Sequence, residues 1–290
     1  NAFSLVSFDD RRFFFVLRRG MVSVIGTTDT AYYPESKNLD EPWCSRTDCD
    51  YLLRTVNRMF PHAMLTDADI ISTYAGIRPL IRQEGAKHES DVSRNHEIFQ
   101  TPDGLVAIAG GKSTTHRRMA EDLLFYLVRH KYLNPFKNPE YSRRNYSKQP
   151  FRIGLTRKEF DRIAAEKGLT ETAHPDQIEY FYTQFGRGGI TILEKIRKSP
   201  AGGKPLLEGY PHCPAEIDYI LEYENASRLI DLLCRRTEAQ WMIWHHKQPQ
   251  LAERTAAIMA EYYGWGEEEK TIEIEAYLAY VKNNVRFLRQ

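Results

Sequence analysis

The sequence predicts an α+β fold in which an antiparallel sheet comes first and an all-helical domain follows. Three observations carry this. Short β-branched and aromatic runs, separated by turn dipeptides, crowd the opening third of the chain. Helical periodicity takes over after Gly110-Gly111. Beyond Phe151 the apolar runs are spaced for helix and bracketed by caps and breakers, with no convincing strand, which excludes alternating βαβ units.

Residues 5–8, 12–18 and 21–28 read as three strands of a meander, split at Asp9-Asp10 and Arg19-Gly20. Residues 48–60 read as a helix, because Leu52, Thr55, Val56 and Met59 share one face and Pro61 stops the run. Residues 69–75 read as a further strand. Residues 97–101 and 105–109 form a hairpin around Pro102-Asp103-Gly104, where Pro fixes φ early and Gly accepts a positive φ late. Met119, Leu123, Tyr126 and Leu127 make the apolar face of the next helix. The Asn-, Pro- and Ser-rich stretch that follows predicts domains at 1–133 and 151–290 joined by a linker at 134–150. In the second domain Thr156 and Glu159 form a capping box, Gly168 stops that helix, and Pro175 and Gly186 bracket the next. Residues 190–198, 214–224, 227–236, 250–263 and 267–288 complete the helices, and Gly186 to Gly189 reads as a loop.

Composition narrows the function. The chain has 290 residues, 42% hydrophobic and 27% charged, enough for a core. A net charge of +1 argues against a nucleic-acid partner. Four scattered cysteines without Cys-x-x-Cys fit free thiols in a reducing compartment. No apolar run approaches the ~20 residues a membrane helix needs. The nine histidines make no metal pattern, and adjacent His245-His246 point apart on a helix. Between residues 129 and 158 nine basic residues face one acid, Glu140, which suits either an anionic surface or a solvated linker.

The stretch that carries chemistry is residues 105–120, LVAIAGGKSTTHRRMA. A strand, two glycines, Lys112, three hydroxyl residues and a helix start make either an anion site or a plainly capped helix. It is not a P-loop, since that motif needs glycine at position 106 and this chain has Val106. Arg78, kept extended by Pro79, and Arg94 also sit near strand ends. Together with Lys112 they could clamp a phosphate.

The strings GTTD, DYLLRTVNRMFP, LTDADIISTYAGIRPLI, SRNHEIF and GLVAIAGGKSTTHRRMAE occur here in order, followed by PAEIDYILEYENASRLIDLLCRRTEA. Over nearly the whole chain this resembles the FAD-dependent sn-glycerol-3-phosphate dehydrogenases. The resemblance implies oxidation of glycerol 3-phosphate to dihydroxyacetone phosphate, reduction of FAD, and electrons passed to a quinone pool at the membrane. It implies Arg78 as the catalytic residue beside flavin and substrate, and Arg78, Arg94, Lys112 and Thr114 as substrate ligands. Gly110, Gly111, Lys112, Ser113 and Thr114 are then the cofactor contacts, with no metal. It also implies a cytoplasmic protein, peripheral on the inner face of the cell membrane.

The family begins with a Gly-x-Gly-x-x-Gly dinucleotide unit that this sequence lacks, as it lacks the family's upstream substrate histidine. The chain opens on Asn1-Ala2, which reads as a cloning scar. We therefore expect the C-terminal part of such an enzyme, a truncated substrate domain plus the helical domain, without tight FAD binding or dehydrogenase activity of its own. An apolar face left without its packing partner would favour a homodimer. A contrasting reading makes the helical part a docking module for a membrane surface or a partner subunit. Salt-sensitive co-sedimentation with liposomes distinguishes it.

Overall fold

In the computed structural model, residues 2–32, 39–78, 95–134 and 154–289 are described. They fall into two compact units. One comprises Asn1–Thr28, Trp43–Ala75 and Arg152–Gln290, and the other Asp29–Pro42 and Gly76–Phe151. The first unit thus draws residues from both sides of the expected linker. That linker, apart from Asn134, lies outside the described residues.

In the first unit, strands β1 (Ala2–Val6), β2 (Phe13–Arg19) and β3 (Val22–Gly26) form the expected antiparallel meander, in the order β1-β2-β3. Pairing of Leu5 with Phe14 and of Phe3 with Val16 puts these residues on one face. That face packs toward helix α1 (Arg46–Met59), with Phe14 fully buried and the Phe3 and Phe60 rings 5.7 Å apart. Val6, Phe13, Phe15 and Leu17 lie on the other face and are exposed. Ser45 caps α1 by accepting the Asp48 N–H at 3.1 Å.

Residues 69–75 are not a strand, contrary to the sequence expectation: Asp69 ends a 3-10 turn and residues 70–78 have no regular structure. The stretch is apolar enough, but polar side chains hold it in place of a ladder. Ser72 Oγ accepts from Gln240 Nε2 at 3.0 Å, and Thr73 donates to the Asn284 carbonyl. The Tyr74 ring meets Trp241 edge-on at 5.4 Å.

The helical part of this unit runs α3 (Arg157–Glu166), α4 (Pro175–Phe185), α5 (Arg187–Lys198), α6 (Pro214–Tyr223), the short α7 (Ala239–Met242), α8 (Gln248–Tyr263) and α9 (Glu267–Asn284). The Thr156/Glu159 capping box is formed, and Gly168 takes a left-handed φ of 64° after α3. Phe160, Phe181, Leu193, Ile217, Leu232 and Tyr277 anchor one continuous core.

Two readings need correction here. Gly188 and Gly189 lie inside α5 and are buried, not in a loop: a side chain at Gly189 would meet the α4 backbone at Phe181, and one at Gly188 would meet Tyr219 of α6. Residues Asp231–Arg236 form a π-helical turn where an ordinary helix was expected. The wider turn is held by side chains: Thr237 Oγ1 donates to the Leu232 carbonyl at 3.0 Å, and Trp241 Nε1 to that of Cys234 at 3.2 Å.

All four cysteines are free thiols. Burial pushes the Cys213 and Cys234 thiols up to about 12 and raises the Tyr180 and Tyr277 phenols well above their usual value. The folded values exceed the unfolded ones, so this stabilisation is complete below about pH 9 and is lost as pH climbs toward 12. The urea midpoint should therefore fall steadily between pH 9 and pH 11. An unchanged midpoint across that window would contradict the burial of these groups.

Candidate functional site

The second unit carries the residues of interest. Strands β4 (His96–Gln100) and β5 (Val106–Gly110) form the expected hairpin, with Gly104 at φ 93° in its turn. Helix α2 (His116–Arg129) follows. Between β5 and α2 the chain passes through Gly110 and Gly111, at φ 74° and 79°, then a single 3-10 turn at Ser113–Thr115.

Gly111 is glycine for two reasons. Its left-handed φ disfavours any side chain, and a Cβ there would stand 2.6 Å from Met119 Sδ and 3.3 Å from His96 Cβ. The near side of the turn is thus filled by the protein itself. Thr115 Oγ1 accepts the Lys112 N–H at 3.3 Å and donates to the Lys112 carbonyl at 2.9 Å, which closes the turn from below. Lys112, Ser113 and Thr114 are exposed. Among the described residues, the Lys112 ammonium and the Ser113 and Thr114 hydroxyls engage no protein group. What results is an accessible cation and two hydroxyls over a helix start, an arrangement that favours an anion.

An ion-pair cluster pins α2 to the hairpin. His96 Nε2 lies 3.0 Å from Asp122 Oδ2, and Arg118 contacts the same carboxylate at 3.0 and 3.1 Å. The sequence reading gave His96 and Asp122 no role, since they are 26 positions apart and neither spacing nor periodicity joins them.

Arg78 is half-buried and donates from Nη1 to Asp29 Oδ2 at 2.9 Å. Asp29 was not among the expected site residues, although it closes the GTTD string. Arg94 and Pro79 lie outside the described residues.

The open side of the turn presents Lys112, Ser113 and Thr114, three of the residues expected to meet a flavin. Among the described residues there is no second strand–glycine–helix unit to cradle a dinucleotide phosphate. There is also no cluster of metal-binding side chains and no helix long and apolar enough to cross a membrane. In the other unit a cavity of about 560 Å³ is lined in part by Leu207, Glu208, Lys247 and Arg254. Both of its cations are already engaged, Lys247 with the Tyr210 ring at 5.2 Å and Arg254 with the Leu206 carbonyl.

Comparison with known proteins places these features. Residues 142–270 match the family model described as the C-terminal domain of alpha-glycerophosphate oxidase. Glycerol-3-phosphate dehydrogenase 2 of Mycobacterium bovis is 30% identical over 271 residues, covering 93% of this chain and 44% of that protein. The aerobic glycerol-3-phosphate dehydrogenase of Bacillus subtilis is 28% identical, covering 90% and 46% respectively. The solved glycerol-3-phosphate dehydrogenase of Bacillus halodurans, complexed with FAD, superposes with a TM-score of 0.75 at 29% identity, over all of this chain and 54% of that one. The chain spans under half the length of the Mycobacterium bovis and Bacillus subtilis relatives and just over half of the solved one. In sequence and in fold, the chain is thus a relative of the glycerol-3-phosphate dehydrogenases, one of them solved with FAD bound.

Proposed function

We propose that this chain carries the substrate-phosphate site of a flavin-dependent glycerol-3-phosphate dehydrogenase. Arg78, Arg94 and Lys112 gather around the phosphate dianion, and Thr114 adds a hydroxyl. Arginine offers paired N–H donors to phosphate oxygens and lysine a compact charge, so the set suits a dianionic ester better than a neutral polyol. The observation that supports the reading best is the exposed, unengaged Lys112 on the Gly110-Gly111 turn at the start of α2.

FAD would supply the two-electron acceptor in the longer protein, with dihydroxyacetone phosphate as product and a quinone pool as final acceptor. The residues here hold the phosphate end of the substrate and, through Arg78, steady the carbinol end near the flavin. The proposed domains remain 1–133, a linker at 134–150 and 151–290. These residues correspond to under half the length of the Mycobacterium bovis and Bacillus subtilis relatives, and we expect neither tight FAD binding nor turnover from them alone. In the cell it works in the cytoplasm at the inner face of the membrane, and as a homodimer.

Isothermal titration of the chain with glycerol 3-phosphate tests the site. Binding should be competed by inorganic phosphate and not by glycerol. Lys112→Ala and Arg78→Ala should each weaken it by roughly ten- to a hundredfold, the value of a charge-assisted contact of about 1.5–3 kcal/mol. Equal affinity in wild type and both variants would overturn the assignment.

A further inference from the structure

We propose that Asp29 is the positioning residue of the Arg78 guanidinium. The inference rests on the phosphate site proposed above and deepens it. Arg78 lies within residues 70–78, which have no regular secondary structure, so no ladder or helix among the described residues fixes where its side chain leaves the backbone. An arginine so placed has many rotamers, and ordering it on a ligand is costly. Asp29 also lies on an irregular stretch, residues 27–32 beyond β3. The two residues are 49 positions apart and belong to the same compact unit.

The contact is specific in form. One Arg78 N–H, at Nη1, meets one Asp29 oxygen at 2.9 Å. A guanidinium has five N–H donors, so four remain for another acceptor. With side-chain exposures of 35% and 27%, both groups are too sheltered for a fully solvated surface pair and too open to be sealed in the core. Asp29 therefore holds the arginine in one orientation and leaves its other donors available. Two effects of the carboxylate oppose each other. It orders the cation, which favours a second anion, and it offsets the cation's charge, which disfavours one. The single-donor geometry favours ordering, because a competing carboxylate would be expected to take the paired edge of the fork.

Titration of the full chain with inorganic phosphate and with glycerol 3-phosphate separates the two. Positioning predicts that Asp29→Ala weakens binding about tenfold. Asp29→Asn keeps an oxygen acceptor without the charge, and should recover most of that loss. Thermal midpoints of both variants should stay near wild type. In ¹⁵N spectra, the Arg78 side-chain signal, assigned by its absence in Arg78→Lys, should shift in Asp29→Ala. Unchanged or tighter phosphate binding in Asp29→Ala, with binding still lost in Arg78→Ala, would overturn the role of Asp29 alone. Absent binding in wild type, or binding unaffected by Arg78→Ala, would overturn the phosphate site and the role of Asp29 with it.

Discussion

Replacing Glu216 with alanine is expected to destabilise the helical part by about 3–5 kcal/mol, because three buried polar groups lose their shared acceptor at about 1–3 kcal/mol each. Glu216 is fully buried at the third position of α6. Its Oε1 accepts from the Tyr180 hydroxyl at 2.5 Å, its Oε2 lies 3.2 Å from His212 Nδ1, and the Cys213 N–H reaches it at 3.4 Å. One carboxylate therefore satisfies a phenol, an imidazole and an otherwise orphaned helix-start N–H, where the helix dipole also favours it. Alanine would strand all three in a site closed to bulk solvent, since His212 is only 2% exposed and Cys213 is fully buried.

Glutamine at position 216 keeps an acceptor of similar shape and should cost less than alanine. Tyr180→Phe removes a single donor and should cost about 1–3 kcal/mol. The order of urea midpoints should thus be wild type, then the glutamine and phenylalanine variants, then alanine. Three variants within about 0.5 kcal/mol of wild type would mean that the network is not buried as described.

How much of this was legible beforehand depended on whether the cause was local. The Thr156/Glu159 capping box, the Asp103-Gly104 turn and the Gly168 stop are set by residues within a few positions of one another, and the structure has all three. The meander was legible because β-branched and aromatic runs and turn dipeptides agree there. Residues 69–75 were not, because apolar content suggests a strand while the partners of Ser72 and Thr73, Gln240 and Asn284, lie far along the chain. The π turn at Asp231–Arg236 depends on Thr237 and Trp241 capturing carbonyls, which no helical pattern announces. In the candidate site the Gly110-Gly111-Lys112 turn showed itself as a strand–glycine–helix junction. The Arg78–Asp29 pair did not, since only the folded chain brings position 78 to position 29.

The misread glycines give the other large effect, and adjacent positions predict unequal losses. Helices α4 and α5 are joined by Gly186 alone, at φ 53°. At Gly189 an added Cβ would sit 2.7 Å from the Phe181 carbonyl oxygen, 2.9 Å from its carbon and 3.1 Å from Phe160 Cε2. Two of those three atoms are backbone, so relief requires the helices to part. At Gly188 the clash is closer, 2.3 Å, but its partner is the hydroxyl end of the half-buried Tyr219, which can swing away. Alanine gains up to about 1 kcal/mol over glycine inside a helix, whereas forcing a packed interface apart costs about 1–3 kcal/mol or more. Gly189→Ala should therefore be destabilising by about 2 kcal/mol, and Gly189→Val by more, since its branches also meet Phe160. For Gly188→Ala the propensity gain offsets most of the displaced Tyr219, whose ring packs 5.6 Å from Phe185, and the net change should stay within about 1 kcal/mol. Chemical denaturation of the two alanine variants side by side decides the point, because equal losses at both positions would mean that α4 and α5 do not meet backbone to backbone at Gly189.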